Sequence, residues 1–198
     1  MFTVSVKTNV DAVIRNLERK VQSQVAYATA RALTQTAKDV QAELNTSINQ
    51  VFDRPIPFTQ KAVGIVYANK ATLTSRVFLK DIQAGYLGLE VTGGVRTPKR
   101  RALVLPGRAL PLNAYGNMPR GKIRALLARG DTFSGKVGGT AGIWQRMKKG
   151  GMKLLVLYEP KATYRKRFPF YEVALRTIDR RITGNMEAAL QQALATMR

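Results

Sequence analysis

The sequence predicts an α+β fold in which a long N-terminal helix is followed by a small antiparallel sheet with irregular basic loops and then by a C-terminal helix. Three observations lead to this prediction: a helical apolar stripe near the N-terminus, short β-branched and aromatic runs after it, and a second helical stripe near the C-terminus. Because the strand-like runs do not alternate with helices, parallel βαβ units are not expected. The 198 residues fit a single domain, 1–198, with long terminal helices and a basic, loop-rich middle at about 91–158.

The first third of the chain is predicted to contain a strand, one long helix and a pair of strands. Residues 2–6 alternate in polarity as a short strand does. From Asn9, a suitable N-cap, apolar residues recur every three or four positions until residues 53–57, where two prolines end the helix. The β-branched and aromatic runs at 64–68 and 73–79 then predict two antiparallel strands.

Less regular structure is predicted for the middle of the chain. Residues 82–140 are rich in glycine and proline, and we expect only a short helix there, at about 119–129, with a glycine cap. Strand-like segments at 143–147 and 153–158 flank a Lys-Lys-Gly-Gly turn and predict a β-hairpin. Pro169 opens the C-terminal helix, whose apolar stripe consists of Leu175, Ile178, Ile182, Met186, Leu190, Leu194 and Met197.

The composition excludes most catalytic chemistry. The chain has no cysteine and no histidine, which excludes disulfides, thiolate metal sites and the histidine-dependent nucleophilic triads. Asp39 and Glu43 are four residues apart, and we interpret them as surface charges because paired carboxylates need enforced proximity to be catalytic. The sequence therefore predicts a protein that is not an enzyme and has no cofactor and no metal site.

The net charge of +21 is concentrated in the middle of the chain. Residues 91–158 contain 14 basic residues and one acid, Asp131, for a net charge of +13. A field of that size attracts polyanions and repels other copies of the chain unless it is neutralised. We predict that nucleic acid or an acidic partner is contacted by Arg96, Lys99, Arg100, Arg101, Arg120, Lys122, Arg124, Lys148 and Lys149.

The nature of that contact stays open between phosphate groups and an acidic protein. Simple solvation of loop charges is the weaker interpretation, because only one acid offsets fourteen cations. Base-specific recognition is not expected, since the chain has no helix-turn-helix, zinc-finger or aromatic-rich RNA-binding pattern. The aromatic residues of this region and its C-terminal flank are interpreted as core or interface anchors, namely Trp144, Tyr158, Tyr164, Phe168 and Phe170.

The apolar stripes of the two long helices have a larger surface than one small sheet is expected to cover. Such stripes are natural surfaces for packing against another subunit. We predict that the core or oligomer faces of the helices contain Leu17, Val21, Leu175, Ile182 and Leu190.

Five segments between residues 92 and 168 form a distinctive combination. They are 92–101 (TGGVRTPKRR), 105–107 (LPG), 115–123 (YGNMPRGKI), 142–146 (GIWQR) and 164–168 (YRKRF). In this order they resemble prophage virion proteins of the minor tail protein Z family, the tail-completion (neck) proteins of tailed phages. The resemblance covers roughly residues 50–180, and none of the segments is a catalytic signature. It implies a component that joins head to tail, or finishes the head-proximal end of the tail, as a closed ring around the DNA channel.

These observations together predict a virion structural protein of the head–tail neck or head-proximal tail end. We expect a homo-oligomeric ring, with a hexamer favoured, that contacts other neck or tail proteins and binds genomic DNA through non-specific phosphate contacts. The expected location is the virion, after synthesis in the bacterial host cytoplasm. No membrane association is predicted, because no stretch approaches the ~20 apolar residues of a membrane helix. The alternative is a free protein that binds nucleic acid without sequence preference.

Overall fold

The computed structural model describes residues 1–8, 19–99 and 101–196, and it confirms the predicted α+β class. The predicted N-cap Asn9 lies outside the described residues. The helices are α1 (Arg19–Val51), α2 (Pro57–Gln60), α3 (Asp81–Thr92), α4 (Lys122–Leu127) and α5 (Phe170–Ala195). The strands are β1 (Thr3–Lys7), β2 (Val63–Val66), β3 (Thr74–Leu79), β4 (Gly94–Arg96), β5 (Leu103–Pro106), β6 (Thr132–Val137), β7 (Thr140–Arg146), β8 (Met152–Glu159) and β9 (Ala162–Tyr164).

The chain divides into two compact units. We call residues 1–91 together with 166–198 the helical unit, and residues 92–165 the basic unit. The basic, loop-rich middle predicted at about 91–158 corresponds closely to the basic unit. That the two units belong to one domain stays a prediction.

The sheet of the helical unit has three antiparallel strands in the order β1-β3-β2. Val4 and Val6 of β1 are buried, and they pair with Val77 and Ser75 of β3. Exposed residues alternate with them, so one face of β1 is buried and the other faces outward. This confirms the predicted N-terminal strand and the pair of strands after the long helix.

Helix α1 covers the buried face of that sheet. Ala37, Val40, Leu44 and Ile48 recur at three- and four-residue steps along α1, and all four are fully buried in the main core. The predicted stripe thus faces the interior over this part of the helix. The helix ends at Val51, just before the two prolines, as predicted.

Helices α1 and α5 contact each other through alanines. Ala28 and Ala32 of α1 form a buried cluster with Ala189 and Ala193 of α5. Such small side chains allow two helix axes to approach toward the short end of the usual range of about 8–10 Å. Met186 and Leu190, two larger residues of the predicted stripe of α5, lie beside this contact rather than at its centre. Met197 of that stripe lies outside the described residues.

Polar side chains fix the register of the two helices. Asn185 of α5 donates hydrogen bonds from Nδ2 to Thr36 Oγ1 at 3.0 Å and to Asp39 Oδ2 at 2.9 Å. Arg180 Nη2 donates to Glu43 Oε1 at 2.7 Å. Lower residue numbers on α5 therefore face higher numbers on α1, which makes the helices antiparallel. Asp39 and Glu43, interpreted from sequence as surface charges, bind the partner helix.

Helix α3 was not predicted, because residues 82–140 were expected to be irregular outside one short helix. The region contains Gly85 and Gly88, and glycine lowers helix propensity by about 1 kcal/mol relative to alanine. Gly88 packs closely against Phe2, since a Cβ at Gly88 would lie 2.9 Å from Cε2 of that ring, which would have to shift. Gly85 has no such neighbour, so packing accounts for only one of the two glycines that argued against a helix.

An ion pair connects the end of α3 to the segment that leads into α5. Arg167 donates from Nε and Nη2 to the Glu90 carboxylate at 2.8 and 2.9 Å, and the Glu90 side chain is only 9% exposed. The backbone N–H groups of Arg167 and Phe168 also donate to the Glu90 carbonyl oxygen, at 2.8 and 2.9 Å. Phe168 and Phe170 follow and are fully buried, so both predicted aromatic anchors are core residues of the helical unit.

The basic unit contains a four-stranded antiparallel sheet in the order β5-β8-β7-β6. Its core is a cluster of buried residues in which Leu126 of α4 packs with Ile143 of β7 and Val156 of β8. The predicted β7–β8 hairpin is confirmed. The predicted short helix is also confirmed, although it ends at Leu127, with Ala128 rather than Gly130 as its C-cap.

Strand β6 lies in a segment that the sequence led us to expect to be irregular. Gly138 and Gly139 form the turn between β6 and β7, and both adopt positive φ angles, of 55° and 85°. Two such residues in succession suit a tight hairpin, whose turn twists in the same sense as its strands. The glycine-rich sequence thus marks the turn of a hairpin.

Replacing Arg167 with alanine is expected to destabilise the helical unit by about 1.5–3 kcal/mol, because it removes the charged hydrogen bonds to the nearly buried Glu90 carboxylate. Urea unfolding followed by circular dichroism measures the loss. Arg180→Ala is the matched control: its ion pair with Glu43 has both side chains 41–53% exposed, so a loss below about 1 kcal/mol is expected. Equal losses in the two variants would contradict the role given to Glu90.

Candidate nucleic-acid interface

The described contact residues predicted from sequence all belong to the basic unit, where three local structures carry them. The first is β4 with the segment after it, the second is α4 with its N-terminal turn, and the third is the β7–β8 turn. Arg100 lies outside the described residues. The other eight are Arg96, Lys99, Arg101, Arg120, Lys122, Arg124, Lys148 and Lys149.

The β7–β8 turn presents two lysines at the tip of a hairpin. Lys148 and Lys149 are exposed, and Gly150 and Gly151 follow with φ angles of 85° and 87°. Met147 closes the turn through backbone hydrogen bonds with both glycines, each of 3.1 Å. Because the backbone is fixed by these bonds and by the strands, both lysines emerge at the same end of the sheet.

Helix α4 divides its residues between the core and solvent. Leu126 is buried and Ile123 is half-buried against the core of the basic unit, which fixes the helix on the sheet. The opposite side carries Arg124, which is exposed. Lys122, four residues before Leu126, lies on the same side as the core residues and is half-buried at the start of the helix. Gly121, with a φ of 77°, precedes the helix and allows the turn that places the exposed Arg120 before it.

The short ribbon of β4 and β9 carries the first cluster. Arg96 is exposed and pairs with Ala162 of β9, at the end of β4. Lys99 and Arg101 are exposed in the segment that leads to β5. The predicted aromatic anchor Tyr164 lies on the ribbon opposite Gly94 and is half-buried.

The basic unit has 16 basic residues and two acids between residues 92 and 165, a net charge of +14. One of the acids, Asp131, already has local partners: Arg129 Nη2 at 2.6 Å and Gln145 Nε2 at 2.8 Å. These hydrogen bonds, first that of Arg129, lower the pKa of the Asp131 carboxyl to about 2. Asp131 is therefore ionised at neutral pH, and its charge is offset by Arg129.

Within the described part of the chain, none of the predicted contact residues forms an ion pair. Their charges are therefore available to a partner. Lys and Arg side chains in this state bind phosphates without reading base sequence, because the affinity comes from the release of counterions. An acidic protein surface satisfies the same requirement.

The aromatic side chains of the sheet do not form an exposed stacking surface. Tyr158 is half-buried and packs against the core of the basic unit, and Trp144 is half-buried on β7. The ring of Phe133 has the Arg146 guanidinium 4.5 Å from its centroid, a cation–π contact within the sheet. Trp144 and Tyr158 thus fit the predicted role of anchors rather than that of base-stacking residues.

The predicted helix faces are only partly buried within one chain. Val21, Ile182 and Leu190 are half-buried, and Leu175 is 54% exposed, so Leu175 is not a core residue of the helical unit. Leu17 lies outside the described residues. Ala28 and Ala32 belong to the apolar stripe predicted for α1, whereas Ala189 and Ala193 of α5 were not predicted, and their four-residue spacing was the available signal.

Among residues 1–8, 19–99 and 101–196, no three acidic side chains come close enough together to hold a metal ion. In the same ranges, no helix is both long and apolar enough to span a membrane. Comparison with protein families, curated proteins and solved structures gives no match to this chain.

Replacing Asp131 with asparagine is expected to lower the stability of the basic unit at neutral pH, because the variant loses the charge that pairs with Arg129. Since folding lowers the pKa of Asp131 from 3.8 to about 2, its stabilisation is complete above about pH 4 and is lost as pH falls through 2. The difference between variant and wild type should therefore shrink from pH 4 toward pH 2. Urea unfolding followed by the fluorescence of Trp144, the only tryptophan, measures it.

Asp53→Asn is the control for this experiment. Asp53 pairs with Arg54 in the helical unit, and both side chains are more than 60% exposed. The tryptophan transition of this variant should match that of wild type at every pH. A deficit of Asp131→Asn that stayed constant down to pH 2 would show that the carboxylate charge is not the cause.

Proposed function

We propose that this protein is a non-enzymatic structural component of a tailed-phage virion, at the head–tail neck or the head-proximal end of the tail. In this role it assembles as a homo-oligomeric ring, with a hexamer favoured, around the channel through which DNA passes. The proposal has two supports: the resemblance of the five segments to tail-completion proteins, and the surface charge of the basic unit.

The exposed and unpaired cations of the basic unit are the observation that carries the proposal. A net charge of +14 in 74 residues repels a second copy of the same unit. A ring of such units needs a polyanion or an acidic neighbour to be stable. Genomic DNA in a channel supplies continuous negative charge without requiring base recognition, and acidic rings above or below supply it through protein.

Apolar residues on α5 support self-association. Leu175 and Leu194 are 54% and 63% exposed, although both belong to the predicted apolar stripe. Exposed large apolar side chains are often covered by another subunit. Leu194 lies about 100° around the helix axis from Leu175, and we place the subunit contact of the ring on the side of α5 that carries Leu175.

A free nucleic-acid-binding protein is the second candidate, and the same unpaired cations favour it. The two candidates differ in where the protein is found. A virion component is present in purified particles in a fixed ratio to the other structural proteins, whereas a free binding protein is absent from them. Quantitative mass spectrometry of particles separates the two.

The triple substitution of Lys99, Arg100 and Arg101 by glutamine is expected to flatten the salt dependence of duplex DNA binding. Each phosphate contact contributes a slope of about −0.9 to log K against log salt, so the slope should change by roughly 2–3. Fluorescence anisotropy with a labelled duplex of arbitrary sequence measures it. Because Lys99 and Arg101 are exposed, circular dichroism should show an unchanged fold.

The matched control removes the same charge from the helical unit, by glutamine substitution of the exposed residues Lys61, Lys80 and Arg176. Its slope should change much less than that of the first triple variant. Equal changes in slope would mean that DNA binding depends only on the net charge of the chain. An unchanged slope in the first triple variant, together with failure of particles to assemble, would assign the cluster to an acidic protein.

Leu175→Asp is expected to leave the fold nearly intact and to weaken self-association. The side chain is already 54% exposed in one chain, so the stability of the monomer should fall by less than about 1 kcal/mol. In a subunit contact the new carboxylate is desolvated, which opposes assembly. Analytical ultracentrifugation measures the oligomeric state.

Gln191→Asp serves as the control for Leu175→Asp. Gln191 is also exposed on α5, but sixteen residues further on it lies about 160° around the helix axis. It should associate as wild type does. If Leu175→Asp also associated normally, this side of α5 would not be the subunit contact.

A further inference from the structure

A groove lies in the helical unit, and none of the site residues predicted from the sequence lines it. It runs between α1 and the connection from β2 to β3, and its volume is about 460 Å³. Tyr27, Arg31 and Lys38 line it from the helix, while Asn69 and Lys70 line it from the connection. The helix residues and the connection residues are distant in sequence and become neighbours only when α1 packs on the sheet.

The groove is cationic and has no acid among its lining residues. Arg31, Lys38 and Lys70 are exposed, and none of them forms an ion pair within the described ranges. Asp39 is the neighbouring acid on α1, but its carboxylate accepts hydrogen bonds from Gln35 at 3.0 Å and from Asn185 at 2.9 Å. The three positive charges are therefore available to an anion.

Two tyrosines hold the lysines in place. Lys70 Nζ lies 5.5 Å from the centroid of the Tyr27 ring and 3.3 Å from Ser23 Oγ. Lys38 Nζ lies 5.9 Å from the centroid of the Tyr67 ring. Cation–π contacts of this kind restrict the ammonium groups before any ligand arrives, which lowers the entropic cost of binding.

The connection that carries Lys70 is itself fixed by a polar side chain. Asn69 Oδ1 accepts hydrogen bonds from the backbone N–H groups of Ala71 at 2.9 Å and Thr72 at 2.7 Å. The Asn69 N–H also donates to the Thr72 carbonyl oxygen at 3.1 Å. This Asx turn keeps the backbone at Lys70 in one conformation opposite the helix.

The spacing of the cations favours an extended ligand. Arg31 and Lys38 are seven residues apart on α1, which places them two helical turns, or about 10 Å, apart on one face. A single small anion does not span that distance, whereas a chain with successive negative charges does. Tyr27, which lines the groove, and Tyr67, which lies next to Lys38 outside the lining, are 44% and 58% exposed.

We propose that this groove binds a single-stranded segment of nucleic acid. Its phosphates contact Arg31, Lys38 and Lys70, and an unpaired base stacks on Tyr27 or Tyr67. A cationic groove with aromatic rings is the arrangement by which single strands are bound without sequence preference. The site is separate from the cations of the basic unit and does not depend on the virion role.

The test compares variants of the full chain for binding to a fluorescent oligothymidylate. The double variant Arg31→Gln with Lys70→Gln should bind the single strand at least tenfold more weakly, since two phosphate contacts are lost. Tyr67→Leu and Tyr27→Leu keep the charge, and at least one of them should weaken binding by roughly five- to a hundredfold, the range for loss of one stacked base. Binding to a duplex should not respond to the tyrosine changes.

Two controls separate the effect of the groove on binding from that of the basic unit. Lys61→Gln with Lys80→Gln removes the same charge from exposed positions outside the groove and should have a much smaller effect. All measurements are repeated with glutamine at Lys99, Arg101, Lys148 and Lys149. The groove's contribution should persist in that background even if the basic unit proves not to contact DNA.

Poly-L-glutamate is the competing probe, since an acidic polypeptide also fits three cations. The proposal is overturned if the groove variants bind the oligonucleotide as their control does. It is also overturned if neither tyrosine change affects single-strand binding while poly-L-glutamate binding falls in the charge variant, because the ligand would then be an acidic protein segment.

Discussion

The helical unit depends on a contact between two segments that are distant in sequence, the end of α3 and the segment that leads into α5. Its chain leaves after Val91 and returns at residue 166, and the Glu90–Arg167 ion pair with its backbone hydrogen bonds holds the two points together. Because Glu90 is nearly buried, its carboxylate needs the guanidinium to be stable there. This contact sets where α5 begins, directs Phe168 and Phe170 into the core, and lets the alanine and asparagine contacts with α1 form in register.

The parts of the fold that were predicted correctly have strong local signals. Helix α1 has a long stripe bounded by prolines, the β7–β8 hairpin has alternating segments around a glycine turn, and α5 begins next to Pro169. Helix α3 and strand β6 were missed because the close packing of Gly88 on Phe2 and the turn formed by Gly138 and Gly139 appear only in the tertiary structure. The position of α5 was predicted, but its packing face was not, because its contact with α1 uses alanines such as Ala189 while Leu175 is exposed.

The candidate sites differ in how far sequence could reveal them. The cations of the basic unit were recognisable because their density along the chain is itself the signal, and their exposure follows from the turns and the short helix that carry them. The groove of the helical unit was not recognisable in this way. Arg31, Lys38 and Lys70 each resemble an isolated surface charge in the sequence. The hydrogen bond from Asn185 to Asp39, the acid next to Lys38, forms only when α5 packs on α1.

The pairing of β4 with β9 gives the basic unit the character of an insertion. Both ends of the 92–165 segment lie side by side in one ribbon, so its entry and exit strands are neighbours. The two segments of the helical unit that flank this insertion are also hydrogen-bonded to each other: the backbone amides of Arg167 and Phe168 donate to the Glu90 carbonyl oxygen. Segments with adjacent ends can be exchanged, lengthened or recombined during evolution without reorganising the core that receives them. A change in the length or charge of the basic unit therefore need not disturb the core of the helical unit.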